Sequence, residues 1–518
     1  MSDETITFLI LGAVIVVFVW DRFPVEFVAI GVALALWATG VLGLDTALKG
    51  FGDPAVIFIA SLFVVSEGLE AAGVTAWAGE ELIGRVGQSR TRLITLTMLL
   101  VAAMTALISV NGAVAALAPV AVVTAVRLGR RPSQLLMPVA FAAHAGSMLL
   151  LTGTPVNVIV SEAADNAGVG SFNFFEFALV GVPLLVGTIA IVLLLGDRLL
   201  PERSPKTVSR DFSDHARTLV EHYELADQNL ITQRTGVAEV LVSPRSGLVG
   251  ESAFPGMVTE SGDLVILAIR RKGEELAGEY ELAEGDLLLL QGTWGALDRQ
   301  LVDPDVLVVD EPELVRRQAV ALGPGSTRAL VVLVGMVILL ATGAVPPAVA
   351  GLLAAGGMIV TGVLSVEQSY HGISWTTVVL VAGMISLSTA MTDSGAAKTL
   401  ADGLVDIVGD AGPHMLLLGL FVLTAVLGQL ISNMATALIV IPVALSAAAD
   451  MDVSAKPVLM AVAVSAAASF LTPVATPANL MVMGPGGYRF GDYWKLGLPL
   501  LALFGVVAVL VVPEFWSL

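Results

Sequence analysis

The sequence contains no cysteine and only five histidines among 518 residues. Without cysteine the chain has no disulfide, no thiol nucleophile and no thiolate metal ligand. Charged residues make up only 14% of the chain, against about 25% in soluble domains. The sequence also shows no nucleophile–base pair and no phosphate-binding loop. We therefore expect a protein that is not an enzyme and that holds no covalent cofactor.

The chain is rich in hydrophobic residues, which form long apolar runs. Hydrophobic residues make up 56% of it, and its mean hydropathy is +0.87. Long apolar runs recur, for example at residues 177–195 and 496–512, and they approach the roughly 17–25 residues that a bilayer-spanning helix needs. The sequence predicts an α-helical polytopic membrane protein embedded in the lipid bilayer. Because the start MSDETIT lacks the basic residues of a signal peptide, we expect the first helix to be retained.

Acidic residues give the chain a net charge of −19, and residues 201–326 form its one long polar stretch. We interpret this stretch as an acidic, soluble insert between two membrane segments. An acidic surface repels phosphate backbones, so no nucleic-acid partner is expected.

An internal repeat organises the membrane segments. Asn479 follows Asn157 by 322 residues, and the same offset joins Pro24 to Pro346. The offset slips by one residue near the hairpins described below, where Pro442 matches Pro119. We predict repeat one at residues 1–200, the insert at 201–326 and repeat two at 327–518.

Basic clusters predict the orientation of the helices. They are GRVGQSRTR at residues 84–92, RLGRR at 127–131 and DRLLPERSPK at 197–206, and such clusters stay on the cytoplasmic side. Residues 91–126 must then enter and leave on one side, as a re-entrant hairpin turning near residues 110–112. Each repeat has five spans and one hairpin, so the two repeats are inverted. The insert is expected in the cytoplasm and both termini outside the inner cell membrane.

Two motifs interrupt helices at membrane depth: TGTPVNVIV at residues 152–160 and VATPANLMV at residues 474–482. Proline has no N–H and disrupts the preceding turn, and the freed backbone groups are tolerated only where they line a cavity. Carbonyl groups at such a break suit a cation, and the helix that starts after it suits an anion. Inverted repeats with broken helices are typical of secondary transporters. The polar hairpin tips SVNGA (109–113) and SNMAT (432–436) are the partner loops.

On these motifs, both membrane repeats resemble the divalent anion/sodium symporters of the ion transporter superfamily. The resemblance implies an elevator-type transporter, usually dimeric, with sodium as the coupling ion at two sites and an anion between the hairpin tips. Carried over to matching positions, it implies that site one uses Ser109, Asn111, Gly112, Gly153, Thr154 and Asn157, and that site two uses Ser432, Asn433, Thr436, Thr476 and Asn479. Both hairpin triplets depart from the family's Ser-Asn-Thr.

The insert resembles a TrkA C-terminal (RCK-C) domain at residues 235–303. Its predicted strands cover residues 239–242, 246–250, 266–271 and 285–292. In its family this module dimerises and can bind small regulators. The resemblance therefore implies a homodimer and a cytosolic nucleotide as regulator, with a purely structural dimerisation domain as the alternative.

His144 stands in FAAHAGSM, ahead of the first break, where its counterpart in repeat two is Ala466. An ionisable side chain at membrane depth is a functional candidate, so we weigh a coupling role against a structural hydrogen bond. The function that we predict is secondary active transport of a small dianion such as sulfate, coupled to sodium or protons. A C4-dicarboxylate/sodium symporter is the alternative, as are arsenite efflux and cation/proton exchange. A ligand-gated channel or membrane sensor belongs to another class, and the sequence lacks the Thr-Val-Gly-Tyr-Gly filter of a potassium channel.

Overall fold

The computed structural model describes residues 1–20, 22–74, 77–78, 89–127, 130–203, 235–259, 261–271, 274–276, 278–301, 306–309, 323, 325–408 and 412–518. The chain divides into two units. One unit comprises residues 1–68, 82–208 and 330–518, and the other comprises residues 69–81 and 209–329.

Apolar helices build the membrane unit, as the composition predicts. Seven described helices are long and apolar enough to cross a membrane, and six shorter ones are apolar. The first half (residues 1–200) contains α1 (Asp3–Trp20), α2 (Val25–Ala38), α3 (Leu44–Leu48), α4 (Pro54–Ala71), α5 (Arg90–Leu107), α6 (Val110–Arg127), α7 (Ser133–Gly146), α8 (Pro155–Asn166) and α9 (Ala178–Leu199). The short connections keep consecutive helices adjacent, which suits a bundle in a bilayer.

The second half (residues 327–518) follows the same order of helices. After α10 (Trp294–Gln300), which belongs to the insert, come α11 (Ser326–Thr342), α12 (Pro347–Val360), α13 (Val366–Gly372), α14 (Trp375–Asp393), α15 (Ala396–Val408), α16 (Pro413–Leu427), α17 (Asn433–Asp450), α18 (Ala455–Ala467), α19 (Pro477–Gly486), α20 (Tyr493–Val506) and α21 (Val512–Phe515). Helices α2 and α12 are offset by 322 residues, and α6 and α17 by 323. The change of offset falls at the hairpins, where the sequence also slips by one.

Contacts at the two ends of α9 identify the two faces of the membrane unit. Beyond its carboxyl end, the Ser133 hydroxyl donates to the carbonyl oxygen of Pro201 at 2.7 Å, so α7 begins there. Before its amino end, Lys456 Nζ lies 3.2 Å from Glu176, so α18 begins at the opposite face. The indole N–H of Trp516 also donates to Glu176, at 2.7 Å. The equivalent helices α7 and α18 thus start on opposite faces.

A small antiparallel sheet forms the core of the other unit. Its strands are β1 (Thr235–Val242), β3 (Leu264–Arg271), β4 (Glu274–Glu275), β6 (Leu287–Thr293) and β7 (Val306–Val308), in the order β4-β3-β6-β1-β7. Strands β2 (Ser252–Ala253) and β5 (Tyr280–Glu281) form a second pair, and α10 (Trp294–Gln300) follows β6. Apolar side chains alternate along these strands and pack with Trp294.

Two of the four predicted strands lie within β1 and β3, and the predicted strand at 285–292 overlaps β6. The prediction of a strand at residues 246–250 was wrong, because these residues form turns. The N–H of Ser246 donates to the carbonyl of Ser243, and its hydroxyl accepts from the N–H of Leu248. Gly250 then takes a φ of +91°, a left-handed conformation that ends any extended run. Local side-chain hydrogen bonds thus compete successfully with strand pairing here.

Candidate functional site

Two helical hairpins place polar tips between apolar arms. Hairpin one joins α5 and α6 and turns at residues 108–109, just before the predicted position. Hairpin two joins α16 and α17. Ser109 accepts a hydrogen bond from the N–H of Gly112 at 3.1 Å, and Ser432 accepts one from Ala435 at 3.3 Å. Each serine therefore caps the second arm of its hairpin and satisfies one of the N–H groups left open at a helix start.

The two interrupted helices break where the Thr-Pro motifs predict. Break one (residues 147–154) separates α7 from α8, and break two (residues 468–476) separates α18 from α19. Thr154 and Thr476 precede the new helices in extended backbone, with φ of −154° and −147°. The prolines that follow occupy the first helical position, where no N–H is needed. Each break therefore ends one helix and starts another at membrane depth.

The asparagine of each motif braces its break from inside. Asn157 Nδ2 donates to the carbonyl oxygens of Ser147 and Leu150, both at 2.9 Å. Asn479 Nδ2 donates to the carbonyl oxygens of Ser469 and Thr472, at 2.8 and 3.1 Å. The acceptors lie ten and seven residues earlier in both cases. Because both amide hydrogens are engaged, only the side-chain oxygens remain to meet a ligand.

Those two amide oxygens have different surroundings. Asn157 Oδ1 is buried and has no hydrogen-bond partner among the residues that the structure describes. Asn479 Oδ1 lies 3.3 Å from His144 Nε2, and the same nitrogen lies 3.2 Å from Thr476 Oγ1. A buried polar atom without a partner costs about 1–3 kcal/mol. Break one thus retains an open acceptor, whereas the equivalent acceptor in break two is covered by the imidazole.

His144 belongs to an aromatic cluster that joins the two halves. It is only 2% exposed, and its ring meets Phe470 edge-on with centroids 5.7 Å apart. Phe470 also packs against Phe141 and Phe504. On the far side of α19, the Tyr493 hydroxyl donates to the backbone oxygen of Asn479 at 2.6 Å. The packing leaves the imidazole little freedom to move away from break two.

Each hairpin is hydrogen-bonded to the break of its own half. In the second half, Ser469 Oγ donates to Asn433 Oδ1 at 2.6 Å, and the N–H of Leu471 donates to Gln429 Oε1 at 3.1 Å. In the first half, Thr152 Oγ1 donates to the carbonyl oxygen of Ala106 at 2.9 Å. The structure thus brings Asn433, Thr476 and Asn479 into one connected region. Thr436 lies in the same helix as Asn433, and its buried hydroxyl oxygen has no partner within the described part of the chain.

Site one is less complete on the hairpin side. With the offset of 323, Val110 takes the position of Asn433, and Asn111 takes that of Met434. Asn111 is exposed, and within the described ranges no hydrogen bond joins it to break one. The structure therefore does not place Asn111 beside Asn157 as the counterpart of Asn433. Gly112 donates its N–H to the Ser109 hydroxyl, and a Cβ added there would lie 3.1 Å from that same hydroxyl.

Gly153 also acts through its small size. An added Cβ would lie 2.2 Å from the carbonyl oxygen of Ser147, so no side chain fits there. Ser147, Ser469 and Gln429 were missed by the sequence reasoning. Their partners lie on neighbouring helices or in loops, and no local pattern marks them.

A cavity of about 250 Å³ opens beside break one. It is lined by Leu151 of the break, by residues of α8 that include Glu162 and Asp165, and by the amino-terminal ends of α4 and α12. Two carboxylates at its wall favour a cation over an anion in this space.

The arrangement offers two kinds of binding group. Helices α6, α8, α17 and α19 all start at a tip or a break, and helix starts carry a partial positive charge that suits an anion. Neutral oxygens at the breaks suit a small cation. No lysine or arginine is hydrogen-bonded to the tips or the breaks within the described ranges. Interrupted helices with such groups, set in an apolar helical unit, define a membrane transporter.

Comparisons with known proteins identify the family. The family model described as citrate transporter (CitMHS) matches residues 15–452 and 410–517. The chain is 32% identical to the uncharacterized transporter YfbS of Escherichia coli, over 99% of both proteins. It is 26% identical to the probable sodium/sulfate cotransporter 3 of Chlamydomonas reinhardtii, over 52% of this chain and 31% of that protein. The chain belongs to the citrate transporter family and is a transporter of the citrate and sodium/sulfate cotransporter type.

A solved structure supports the fold. The YdaH transporter of Alcanivorax borkumensis, whose crystal structure is described as revealing an unusual topology, matches with a TM-score of 0.53. The two proteins share 16% sequence identity, and the match covers 97% of this chain and 99% of that one. At this identity the likeness concerns the fold alone.

Proposed function

We propose that this protein is a secondary active transporter that carries a small dianion such as sulfate together with a cation, either sodium or a proton. One observation carries the proposal: four helices start at two polar tips and two breaks, with hydroxyl caps and no basic side chain. An anion there is held by N–H groups and helix dipoles. A co-bound cation at the neutral oxygens offsets part of its charge.

Sulfate is favoured over longer anions by the reduced polar groups at the tips. Val110 stands where hairpin two has Asn433, and Met434 supplies no hydroxyl. Fewer donors suit a compact tetrahedral anion better than a C4-dicarboxylate with two separated carboxylates. The names of several relatives, which are sodium/sulfate cotransporters, point in the same direction. The alternative substrates are a C4-dicarboxylate and citrate, after which the family is named.

The proposed mechanism is an elevator motion of two inverted repeats. Helices α7 and α18 hold equivalent places but begin at opposite ends of α9, which is what inversion requires. The basic clusters favour an orientation with the face of Ser133 and Arg203 in the cytoplasm. In this orientation the insert is cytoplasmic, and both termini lie outside the inner membrane. The two broken helices and hairpins form the part that moves.

Counterflow in proteoliposomes tests the function. Purified protein is reconstituted and loaded with unlabelled sulfate, succinate or citrate, and uptake of the labelled anion is followed with and without sodium and at different proton concentrations. Uptake of sulfate that requires one of the two cations is the expected result. Uptake of succinate or citrate alone would reject sulfate as substrate, and uptake independent of both cations would reject cation coupling.

The insert is proposed to join two chains into a homodimer and to bind a cytosolic nucleotide that damps transport. Within the basic run at residues 270–272, Arg271 is bound to Asp286 at 2.7 Å. A ligand changes transport only if it binds the inward and outward states differently. Replacing residues 217–310 with a flexible bridge should leave transport that no longer responds to nucleotides. An unchanged response would reject this role, and a monomeric, inactive product would favour a structural brace.

A further inference from the structure

The two breaks are equivalent in backbone but not in what meets their asparagine oxygens. Both asparagines donate to carbonyls ten and seven residues earlier. The oxygen of Asn157 then faces no protein donor in the described residues. The oxygen of Asn479 faces His144, which comes from the other half of the chain. The counterpart of His144 at the offset of 322 is Ala466, which carries no donor.

The hydrogen bonds also determine which atom of the imidazole carries a proton. Asn479 Nδ2 donates to two carbonyl oxygens, so its amide orientation is fixed and its oxygen faces His144 Nε2. An unprotonated Nε2 would set two acceptors against each other at 3.3 Å. Nε2 must therefore carry hydrogen and donate to Asn479 Oδ1. It also lies within hydrogen-bond distance of Thr476 Oγ1, at 3.2 Å.

A small cation and an N–H group bind a neutral oxygen in the same way, because each presents positive charge to the lone pairs of the oxygen. At break two, the Nε2–H of His144 already meets Asn479 Oδ1, the counterpart of Asn157 Oδ1, and Thr476 Oγ1. The hydroxyl oxygen of Thr472 is the acceptor of break two that has no partner within the described residues. At break one, the buried oxygen of Asn157 stays open, and α7 ends there with its partly negative carboxyl end. The aromatic packing around His144 keeps the imidazole in place.

We propose that the imidazole N–H of His144 occupies, at break two, the position that a coupling cation takes at break one, so that each chain binds a single cation, at break one. The inference rests on the proposed function in one respect, namely that a metal cation such as sodium is the coupling ion. His144 is then a positioning group that replaces an ion, and the transporter's cation stoichiometry is set by this one side chain.

Equilibrium binding of radioactive sodium to the purified full-length protein tests the proposal without any transport. Wild type should saturate at one sodium ion per chain. His144→Leu, which removes the donor at similar volume, should saturate at two, because Asn479 Oδ1 and Thr476 Oγ1 become open to an ion. His144→Gln keeps an N–H donor and should stay at one. His144→Ala serves in place of the leucine variant if that variant does not fold as judged by size-exclusion chromatography.

Each alternative count overturns the proposal. Two ions bound to wild type would show that His144 does not exclude a cation, and one ion bound to both donor-free variants would show that it does not replace one. Absence of sodium binding in every variant would remove the cation from break one as well. Failure of the proposed function is detected in a different experiment. Sulfate transport would then be absent in proteoliposomes, while the number of sodium ions bound per chain would still follow the expected pattern.

Discussion

Alanine at the two brace asparagines should destabilise the membrane unit by different amounts. Asn157→Ala removes two hydrogen bonds to carbonyl oxygens at 2.9 Å, worth about 1 kcal/mol each. It also removes an oxygen that has no partner, which returns about 1 kcal/mol. The net loss is about 1 kcal/mol. Asn479→Ala removes two similar bonds and also the bond that Asn479 Oδ1 accepts from His144, whose N–H keeps only Thr476 Oγ1 as a partner; three bonds at about 1 kcal/mol each give a loss of about 3 kcal/mol.

Thermal unfolding of the purified protein in detergent, in sodium-free buffer, measures this difference. Sodium must be absent because an ion at break one would add to the contribution of Asn157. We expect Asn479→Ala to unfold at a clearly lower temperature than Asn157→Ala, and both below wild type. A matched comparison in a His144→Leu background should bring the two variants closer together. Equal losses in the wild-type background, or a larger loss for Asn157→Ala, would refute the assignment of the imidazole hydrogen bond.

Three further predictions concern other parts of the chain. Gly153→Ala should abolish transport in proteoliposomes because its Cβ would lie 2.2 Å from a carbonyl oxygen, whereas Gly335→Ala, with nothing within 4 Å, should transport normally. In this cysteine-free chain, a cysteine at the exposed Arg245 should react only with membrane-permeant reagents, and one at the exposed Ala167 should react with impermeant reagents added outside; the reverse pattern would contradict the proposed topology. Burial alone would raise the pKa of Asp286, but hydrogen bonds from Arg271 and from a backbone N–H hold this pKa below its usual value. The ionised carboxylate therefore stabilises the folded insert above about pH 4, and this stabilisation is lost as the pH falls through the lowered pKa. Asp286→Asn should therefore speed limited proteolysis of the insert at pH 7, and equal proteolysis of both proteins at pH 7 would contradict this.

The features that follow local chemistry were predictable from the sequence. Proline cannot donate a hydrogen bond, so Thr-Pro inside an apolar run predicts the end of one helix and the start of another, and α8 and α19 begin at Pro155 and Pro477. Serine between apolar arms predicts a helix cap, and Ser109 and Ser432 are caps. Three strands of the sheet were predictable from alternating apolar residues for the same local reason.

The features that depend on three-dimensional neighbours were not predictable. The sequence assigns Asn157 and Asn479 to ligands, but their amide hydrogens hold the backbone of the breaks. Asn111 is of the residue type that the family motif requires. The repeat offset changes by one residue at the hairpin, however, and Asn111 is exposed. A shift of one residue rotates a side chain by about 100° on a helix, so a motif that is correct in composition can point elsewhere.

His144 is partly predictable from the sequence and partly dependent on its three-dimensional neighbours. Its place in an apolar run and the offset to Ala466 mark it in the sequence as a departure from the repeat. Its partners do not follow from that, because they lie in the other half of the chain, at Thr476 and Asn479. Two halves that were identical in these positions would offer a cation two sites of equal affinity. One imidazole at residue 144 makes the two breaks different, since it meets Asn479 Oδ1 and Thr476 Oγ1 at break two, whereas its counterpart in the repeat is Ala466.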